Sequence, residues 1–306
     1  MKVGYAILYI AGKLVISKNH TVLKRKIIKD YGEFEDTDVP WKNESSKIKK
    51  VRILDQVKAN CMKAWFKDCL NLTTLIDFQN LDVSDCIDFS CMFYNCYSLQ
   101  NLNELLTWNV SNGADFSYMF YNCKSLQGLN GLQNWSISNG TNFNSMFAFC
   151  DALQNLNGLQ NWNISNGKIF LGMFYSCKSI QCLNGLQNWN VSNCDDFSYM
   201  FYDCQLLQNL NELQTWNVSK CKDFLYMFAY CESLQEINSL ENWNISNGID
   251  FSCMFAHCES LQKILLSNTL DILTKEMFYN CNPNLKIHWR KHIYTYEDLL
   301  EYEKIC

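Results

Sequence analysis

The apolar residues of this chain recur at a constant spacing of 27 residues over most of its length. The dipeptide Met-Phe marks each copy, a cysteine follows the methionine four residues later, and a tryptophan forms a third column. The methionine column is Met92, Met119, Met146, Met173, Met200, Met227 and Met254, and Trp65, Phe66 and Cys69 add one copy before it. A constant period in this range predicts a repeat solenoid, in which each unit buries its apolar face only against its neighbours.

The first half of a unit has the spacing of an amphipathic helix. Phe116, Met119, Phe120 and Cys123 stand at positions i, i+3, i+4 and i+7, which lie on one stripe of a helix. Asn112 precedes them at a position suited to an N-cap. The pattern therefore predicts one short helix in each unit.

The second half of a unit has a different spacing. Leu126, Leu129 and Leu132 are three residues apart and are followed by Trp135 and Ile137, so they do not fit one long strand of period two. Short strands joined by corners fit better. Together the two halves predict an α/β repeat solenoid, with short parallel strands and one short helix per 27-residue unit and with a cap at each end.

The chain divides into three parts by pattern. Residues 1–60 predict an N-terminal cap with short strands and a basic segment, and 61–281 hold about eight units and a shortened last one. The last Met-Phe follows its predecessor by 23 residues and lacks a tryptophan segment before it, as expected of a closing unit. Residues 282–306 predict a C-terminal cap, with a strand in LKIHW and a helix that a capping box at Thr295 and Asp298 opens and that continues through Leu299, Leu300, Tyr302 and Ile305.

The repeat motif resembles that of a known family. The pattern MF-x-x-C-x-x-L-x-x-L, followed by L-x-x-W-N-[VI]-S-N, is similar to the BspA-type leucine-rich repeat surface proteins over most of the chain. The units look slightly longer than those of the family, and Trp stands in place of a smaller residue. The resemblance implies a leucine-rich-repeat-like solenoid and a binding role, with adhesion at the cell surface as the family's usual setting, and it brings no catalytic residues.

The cysteines and tryptophans are expected to be structural. Of the 17 cysteines, nine share one slot on the apolar stripe, which favours reduced, buried thiols over disulfides or a metal site. The Trp column is predicted to pack in the core, although an exposed strip that binds sugars or peptides is the alternative. Six cysteines outside the slot are expected to be more accessible, namely Cys86, Cys91, Cys182, Cys194, Cys221 and Cys253.

The charge is unevenly distributed. Residues 1–60 hold 13 Lys/Arg and 7 Asp/Glu, and residues 61–306 hold 13 and 24. Acidic repeats are unsuited to gripping phosphates, so no nucleic-acid partner is expected. No apolar run is long enough to span a membrane. The apolar N terminus fits either a signal-peptide core or two strands, and a cytoplasmic location is favoured over the cell surface or secretion.

No catalytic arrangement stands out in the sequence. His288 and His292 are four residues apart, which would align them on a helix, but no acidic or cysteine ligand has a suggestive spacing to them. There is also no glycine-rich phosphate loop, no nucleophile with a supporting base and no recurring carboxylate pair. We therefore expect neither enzymatic activity nor a cofactor nor a bound metal.

Binding is expected where columns vary while the backbone repeats. Two such columns lie beside the leucines, and tyrosines flank the buried stripe, where they offer contact area and a hydrogen bond. The candidate binding residues are Asn101, Glu104, Asn155, Asn209, Glu212, Glu236, Tyr121, Tyr175 and Tyr202. The sequence thus predicts a non-catalytic scaffold for a protein partner; an exported adhesin is the first alternative and an enzyme the second.

Overall fold

The chain winds into a β-solenoid of about ten turns. The computed structural model describes residues 2–23, 26–271, 273–301 and 304–305. One cluster of buried apolar side chains runs without interruption from Val3 to Leu299. The caps and the repeats therefore share a single core.

Regular elements are concentrated towards the two ends of the described chain. One α-helix, α1, spans Tyr296–Glu301, and short 3₁₀ turns occur at Lys42–Lys47, Phe78–Asn80, Asn103–Leu105, Asn211–Leu213 and Lys275–Phe278. No helix of the described residues is long and apolar enough to cross a membrane. The strands are β1 (Lys2–Tyr9), β2 (Lys13–Ser17), β3 (Ile27–Glu35), β4 (Lys50–Ile53), β5 (Val57–Lys58), β6 (Thr74–Ile76), β7 (Leu81–Asp82), β8 (Glu236–Ile237), β9 (Lys263–Leu265), β10 (Leu273–Thr274), β11 (Lys286–Trp289), β12 (His292–Thr295) and β13 (Lys304–Ile305).

The N-terminal sheet converts an antiparallel cap into a parallel stack. Its strand order is β3-β1-β2-β4-β6, with β1 antiparallel to both β2 and β3. The pairs β2–β4 and β4–β6 are parallel, as in a solenoid whose successive turns run in one direction. The apolar N terminus thus forms two strands.

The prediction of one helix per unit is wrong. In the unit of Met119, Tyr118 and Asn122 have φ angles of 57° and 60°, which a right-handed helix does not contain. The amide of Tyr118 donates to the Asn144 carbonyl of the next unit at 2.8 Å, whereas the amide of Tyr121 donates back to Tyr118 at 3.1 Å. The Met-Phe segments are therefore successive tight turns that alternate bonds within a unit with bonds between units.

Asn112, which was predicted to be a helix N-cap, has a different role in these turns. The side-chain amide of Asn112 donates to the Ser84 carbonyl of the preceding unit at 2.8 Å. Asn139 makes the equivalent bond to Ser111 at 2.8 Å. This asparagine column therefore links turns of the solenoid and does not begin a helix.

Parallel strands occur in only part of the array. Among the described residues, paired parallel strands lie in the first and last turns, in the pairs β2–β4, β4–β6, β5–β7, β8–β9 and β9–β11. The middle turns are joined by isolated parallel bridges, such as Asp115 with Asn142 and Asn142 with Ile169. These bridges lie in the Met-Phe half of the unit, whereas beside the leucines the described middle turns are joined by single backbone bonds, such as that from the Gln127 amide to the Gln100 carbonyl at 3.2 Å. The strand expected beside the leucines is therefore not formed in those units.

Stacked aromatic rings fill the core. The rings of Phe120 and Phe147 lie 5.4 Å apart, and those of Trp135 and Trp162 lie 6.3 Å apart and parallel. The indole N–H of Trp162 donates to the Leu132 carbonyl of the preceding unit at 3.0 Å. The tryptophans are 2–4% exposed, so their predicted packing in the core is confirmed.

The cysteine slot is buried and reduced in the described residues. The thiol of Cys150 donates to the Phe120 carbonyl at 3.3 Å, and burial raises its pKa well above the ordinary value. Of the six cysteines predicted to be more accessible, Cys91, Cys182 and Cys253 are partly exposed, as expected. The expectation is wrong for the other three, which stand in a column shared with glycines and are buried beside the phenylalanine stack, namely Cys86, Cys194 and Cys221.

The C-terminal cap follows the prediction at its start and departs from it at its end. The predicted strand is β11, and Thr295 and Asp298 exchange backbone-to-side-chain bonds of 2.6 Å and 3.2 Å that open α1. The helix ends at Glu301, and Tyr302 lies outside the described residues. Ile305 was expected in the helix, but it belongs to β13, which pairs with β10.

Candidate functional site

A row of aromatic side chains runs along one column of turns. The position two residues after the methionine is Tyr in five units. In the other three it is Ala, and the next residue is then aromatic. We call these eight side chains the aromatic row: Tyr94, Tyr121, Phe149, Tyr175, Tyr202, Tyr230, His257 and Tyr279. The members that follow alanine were not predicted as binding residues, because they are shifted by one position from the repeat.

The rings of the row are in contact from one end to the other. Each centroid lies within stacking or edge-to-face distance of the next, so the row is continuous over eight successive turns. Five of the seven junctions are stacked or tilted and two are edge-to-face. In chain order the centroid distances are 4.6, 5.3, 5.1, 4.6, 5.1, 4.2 and 5.5 Å.

The displaced rings occupy an unfavourable backbone position. Phe149, Tyr230 and His257 have φ angles of 60–61°, and the same position in other units is Asn, Asp or Ser. A left-handed conformation disfavours bulky side chains by about 1–2 kcal/mol per residue, whereas Asn and Asp tolerate it better. The ring is therefore retained in these units despite a backbone cost.

A second tyrosine column widens the row. Tyr199 lies 5.7 Å from Tyr202 and 5.2 Å from Tyr226, measured between ring centroids. Tyr118 stands in the same column and lies 5.6 Å from Tyr121. The aromatic surface is consequently broader around Tyr118 and from Tyr199 to Tyr226.

The predicted tyrosines Tyr121, Tyr175 and Tyr202 all lie in the row and are partly exposed. Burial raises the pKa of each, and neighbouring tyrosines or Asp203 add to the effect. Their hydroxyls stay neutral near pH 7 and can donate as well as accept. In the stacked pairs Tyr94–Tyr121 and Tyr175–Tyr202 one face of each ring is covered by its neighbour, so ring edges and hydroxyls are available for contact.

The predicted asparagines lie in a separate column beside the leucines and support turns. The side-chain carbonyls of Asn101, Asn155 and Asn209 accept the amide two residues later at 3.1–3.3 Å. Glu236 is exposed on β8, where it stands opposite Lys263 of β9. These residues are at the surface, but the structure does not gather them with the tyrosines.

Glu104 and Glu212 stand in a column that is glycine in other units, and this exchange follows from a difference in backbone conformation. Both lie in 3₁₀ turns, where Glu104 accepts the Phe78 amide at 3.3 Å and one carboxylate oxygen of Glu212 is buried without a partner among the described residues. Other units have glycine in this column with φ of 108–115°, where an added Cβ would lie 2.0–2.4 Å from a carbonyl oxygen of the preceding unit. The column thus alternates between two backbone conformations. The glycines concerned are Gly131, Gly158 and Gly185.

Other candidate chemistry is sparse. His288 and His292 lie on the hairpin of β11 and β12 and not on a common helix face, since His292 pairs with Trp289. They line a cleft of about 340 Å³ with Arg290 and Lys291. Within the described part of the chain, no group of three or more His, Cys, Asp or Glu side chains could hold a metal ion.

Sequence comparison places the chain in a repeat family. The family model described as "Mycoplasma protein of unknown function, DUF285" matches residues 40–162, 103–210 and 172–289, so the matches together cover most of the chain. The chain belongs to this family. A search of curated proteins finds no match.

Two solved structures of bacterial repeat proteins are similar over most of their length. A leucine-rich cell surface protein from Faecalibacterium prausnitzii shares 14% identity with a TM-score of 0.37, and the match covers 95% of both chains. A leucine-rich repeat protein from Eubacterium ventriosum shares 12% identity with a TM-score of 0.29, over 90% of this chain and 92% of the other. At such scores we draw no functional conclusion from either.

Proposed function

We propose that this chain is a non-catalytic scaffold that binds a protein partner through the aromatic row. The observation that carries the proposal is the retention of a ring at eight successive turns, even where Phe149, Tyr230 and His257 must adopt a left-handed backbone. Core packing does not require this, because Ala148, Ala229 and Ala256 fill the buried position in the same units. We therefore attribute the retention of these rings to a role at the protein surface and not to packing of the core.

The exposed chemistry of the row suits a protein partner. Tyrosine provides large contact area and a hydrogen bond while losing little side-chain entropy, which explains its frequency at interfaces. A sugar that stacks on aromatic residues needs open ring faces, but Tyr94 and Tyr121, like Tyr175 and Tyr202, are stacked on each other at 4.6 Å. The hydroxyls and ring edges can instead contact backbone and side chains.

A matched pair of triple variants tests the proposal. In one, Tyr121, Tyr175 and Tyr202 are each replaced by alanine; in the other, Asn101, Asn155 and Asn209 are. Partners captured from a cell extract are identified by mass spectrometry, and the purified partner is titrated by calorimetry. We expect the tyrosine variant to weaken binding by at least about 100-fold, since buried interface tyrosines are common hot spots. We expect the asparagine variant to change it by less than about threefold.

The reverse result would locate the binding surface beside the leucines and contradict the proposal. Folding of both variants is checked by urea denaturation, so that loss of binding is not confused with loss of structure. Equal loss in both variants at unchanged stability would also count against a role specific to the aromatic row.

The BspA-type resemblance supports a second candidate, an exported adhesin. It rests on the motif MF-x-x-C-x-x-L-x-x-L, as in MFYNCKSLQGL at residues 119–129. Accessibility of the array to protease added to intact cells would support export. Recovery of the protein only after lysis would argue against it and leave the scaffold proposal intact.

A further inference from the structure

The N-terminal part of the aromatic row already has its own cations. The ammonium of Lys67 lies 5.0 Å from the ring centroid of Tyr94, and that of Lys124 lies 5.6 Å from Tyr97 beside the row. Lys63 forms an ion pair of 3.3 Å with Asp88, the first acidic residue of the column that borders the row. In this part of the chain, lysines of the same chain therefore lie over the tyrosine rings and pair with the Asp88 carboxylate.

Within the described residues, the acidic column beside the C-terminal part of the row has no ion pair of its own. Asp196, Asp223 and Asp250 stand on three successive turns, joined by parallel bridges. Among the described residues, none of the three has a Lys, Arg or His within ion-pair distance, and Lys222, beside Asp223 in sequence, is exposed. The described residues also place no Lys or Arg over a tyrosine ring between positions 199 and 230.

The unpaired negative charges of this aspartate column help to raise the pKa values of neighbouring groups. Burial is the largest effect that raises the pKa of Asp223, and the negative charges of Asp196 and Asp250 raise it further. Burial, followed by the charge of Asp223, raises the pKa of Tyr199. By contrast, Asp203, next to Tyr202 of the row, is paired with Lys178 at 3.5 Å. A cation placed between the aspartate column and the rings would offset the charge of that column.

We infer that the C-terminal half of the row binds a cationic, arginine- or lysine-bearing segment of an extended polypeptide. The inference rests on the proposed function and names the partner's chemistry. A guanidinium can donate to Asp223 and Asp250 while its plane packs against Tyr199, because both carboxylates act electrostatically on Tyr199, whose ring stacks on Tyr226 at 5.2 Å. An acidic or uncharged segment would gain neither contact.

Fluorescent peptides of eight residues test this inference on the full chain. One alternates Arg with Ser, the second alternates Glu with Ser, and the third contains Ser and Gly only. Fluorescence anisotropy at low ionic strength measures their affinity. We expect the Arg peptide to bind at least about tenfold more tightly than the other two, and its affinity to fall as salt is added.

Matched variants separate a local site from general attraction to acidic repeats. Replacing Asp196, Asp223 and Asp250 by Asn should reduce Arg-peptide affinity about tenfold or more, because the charge is removed while an acceptor oxygen remains. Asp115→Asn alters the same column in the lysine-bearing part and should change affinity by less than about twofold. Replacing Tyr199 and Tyr226 by Leu should reduce it about threefold or more, at nearly constant charge.

Several outcomes would overturn the inference. Preference for the Glu peptide, or equal losses in Asp115→Asn and in a single Asp223→Asn variant, would exclude a cation site in this half. Self-association that the Tyr199/Tyr226 variant abolishes would identify a second copy as the occupant. If the aspartate variant retains full affinity for a captured partner that the triple tyrosine variant has lost, the inference fails while the proposed function stands; if neither loses it, both fail.

Discussion

The core stacks and the aromatic row share one 27-residue period but treat a change of sequence differently. In the core, the phenylalanine after each methionine never moves, and rings such as Phe120 and Phe147 are fully buried. In the aromatic row the ring moves by one residue in three units, as from Tyr121 to Phe149. In the core, packing fixes the sequence position of each aromatic residue. At the surface, a ring is kept at each turn of the row, but its sequence position can shift by one residue. That difference distinguishes a column fixed by packing from the surface column that we propose for recognition.

The largest difference in free energy of unfolding is expected between removal of a ring from the core and removal of a ring from the aromatic row. Phe147→Ala leaves a cavity between Phe120 and Phe174, at 5.4 Å and 5.7 Å, and should lower the free energy of unfolding by about 3–5 kcal/mol. Tyr121→Ala removes a partly exposed ring and should lower it by about 1 kcal/mol or less. Urea denaturation measures both. Similar losses in the two variants would contradict the division between core and surface.

Two glycines sharpen the comparison between interior and surface columns. In Gly158→Ala the new Cβ would lie 2.4 Å from the Leu129 carbonyl oxygen at a φ of 112°, so we expect a loss of about 2–3 kcal/mol. Gly128 has no atom within 4 Å of such a Cβ and no left-handed φ. Gly128→Ala should therefore be neutral or stabilise by about 0.5 kcal/mol, and thermal unfolding of the pair checks the difference.

The period was sufficient to predict the solenoid and its buried columns of Trp, Met-Phe and Cys. It could not separate helix from turn, because Phe116, Met119, Phe120 and Cys123 would share one face in either structure. A turn of about four residues repeated along the chain produces the same spacing as a helical stripe. What separates them is the left-handed φ in the column of Tyr118, for which Gly172, with a φ of 56°, was the one available signal.

The candidate site was only partly predictable for a related reason. Tyr121, Tyr175 and Tyr202 follow the period and were found, whereas Phe149 and Tyr230 are displaced from it. The alanine before each displaced ring was the available signal. The glutamate column could not be assigned from its variability, since the exchange with glycine reflects backbone geometry and not contact with a ligand.

The smallest expected effect concerns the acidic border of the row. The folded-state pKa of Asp223 lies above its ordinary value of 3.8, so the folded chain binds the proton more tightly and the ionised group opposes folding. This penalty is absent below about pH 3.8 and grows as pH rises through the folded pKa. Asp223→Asn should thus be more stable than the parent at pH 7, by under about 1 kcal/mol because the side chain is partly exposed.

The gain should shrink towards zero when urea denaturation of parent and variant is repeated at falling pH. The hydrogen bond to the Leu225 amide survives the substitution, because Asn142 makes the same bond to Asn144 at 3.1 Å. Asp115→Asn is the control: Asp115 lies between Asn142 and Asp88, which is paired with Lys63, so it faces less repulsion along the column. An equal gain in the control, or a gain that persists at low pH, would show that repulsion between the C-terminal aspartates is not its source, and would weaken the contrast between the two halves of the row.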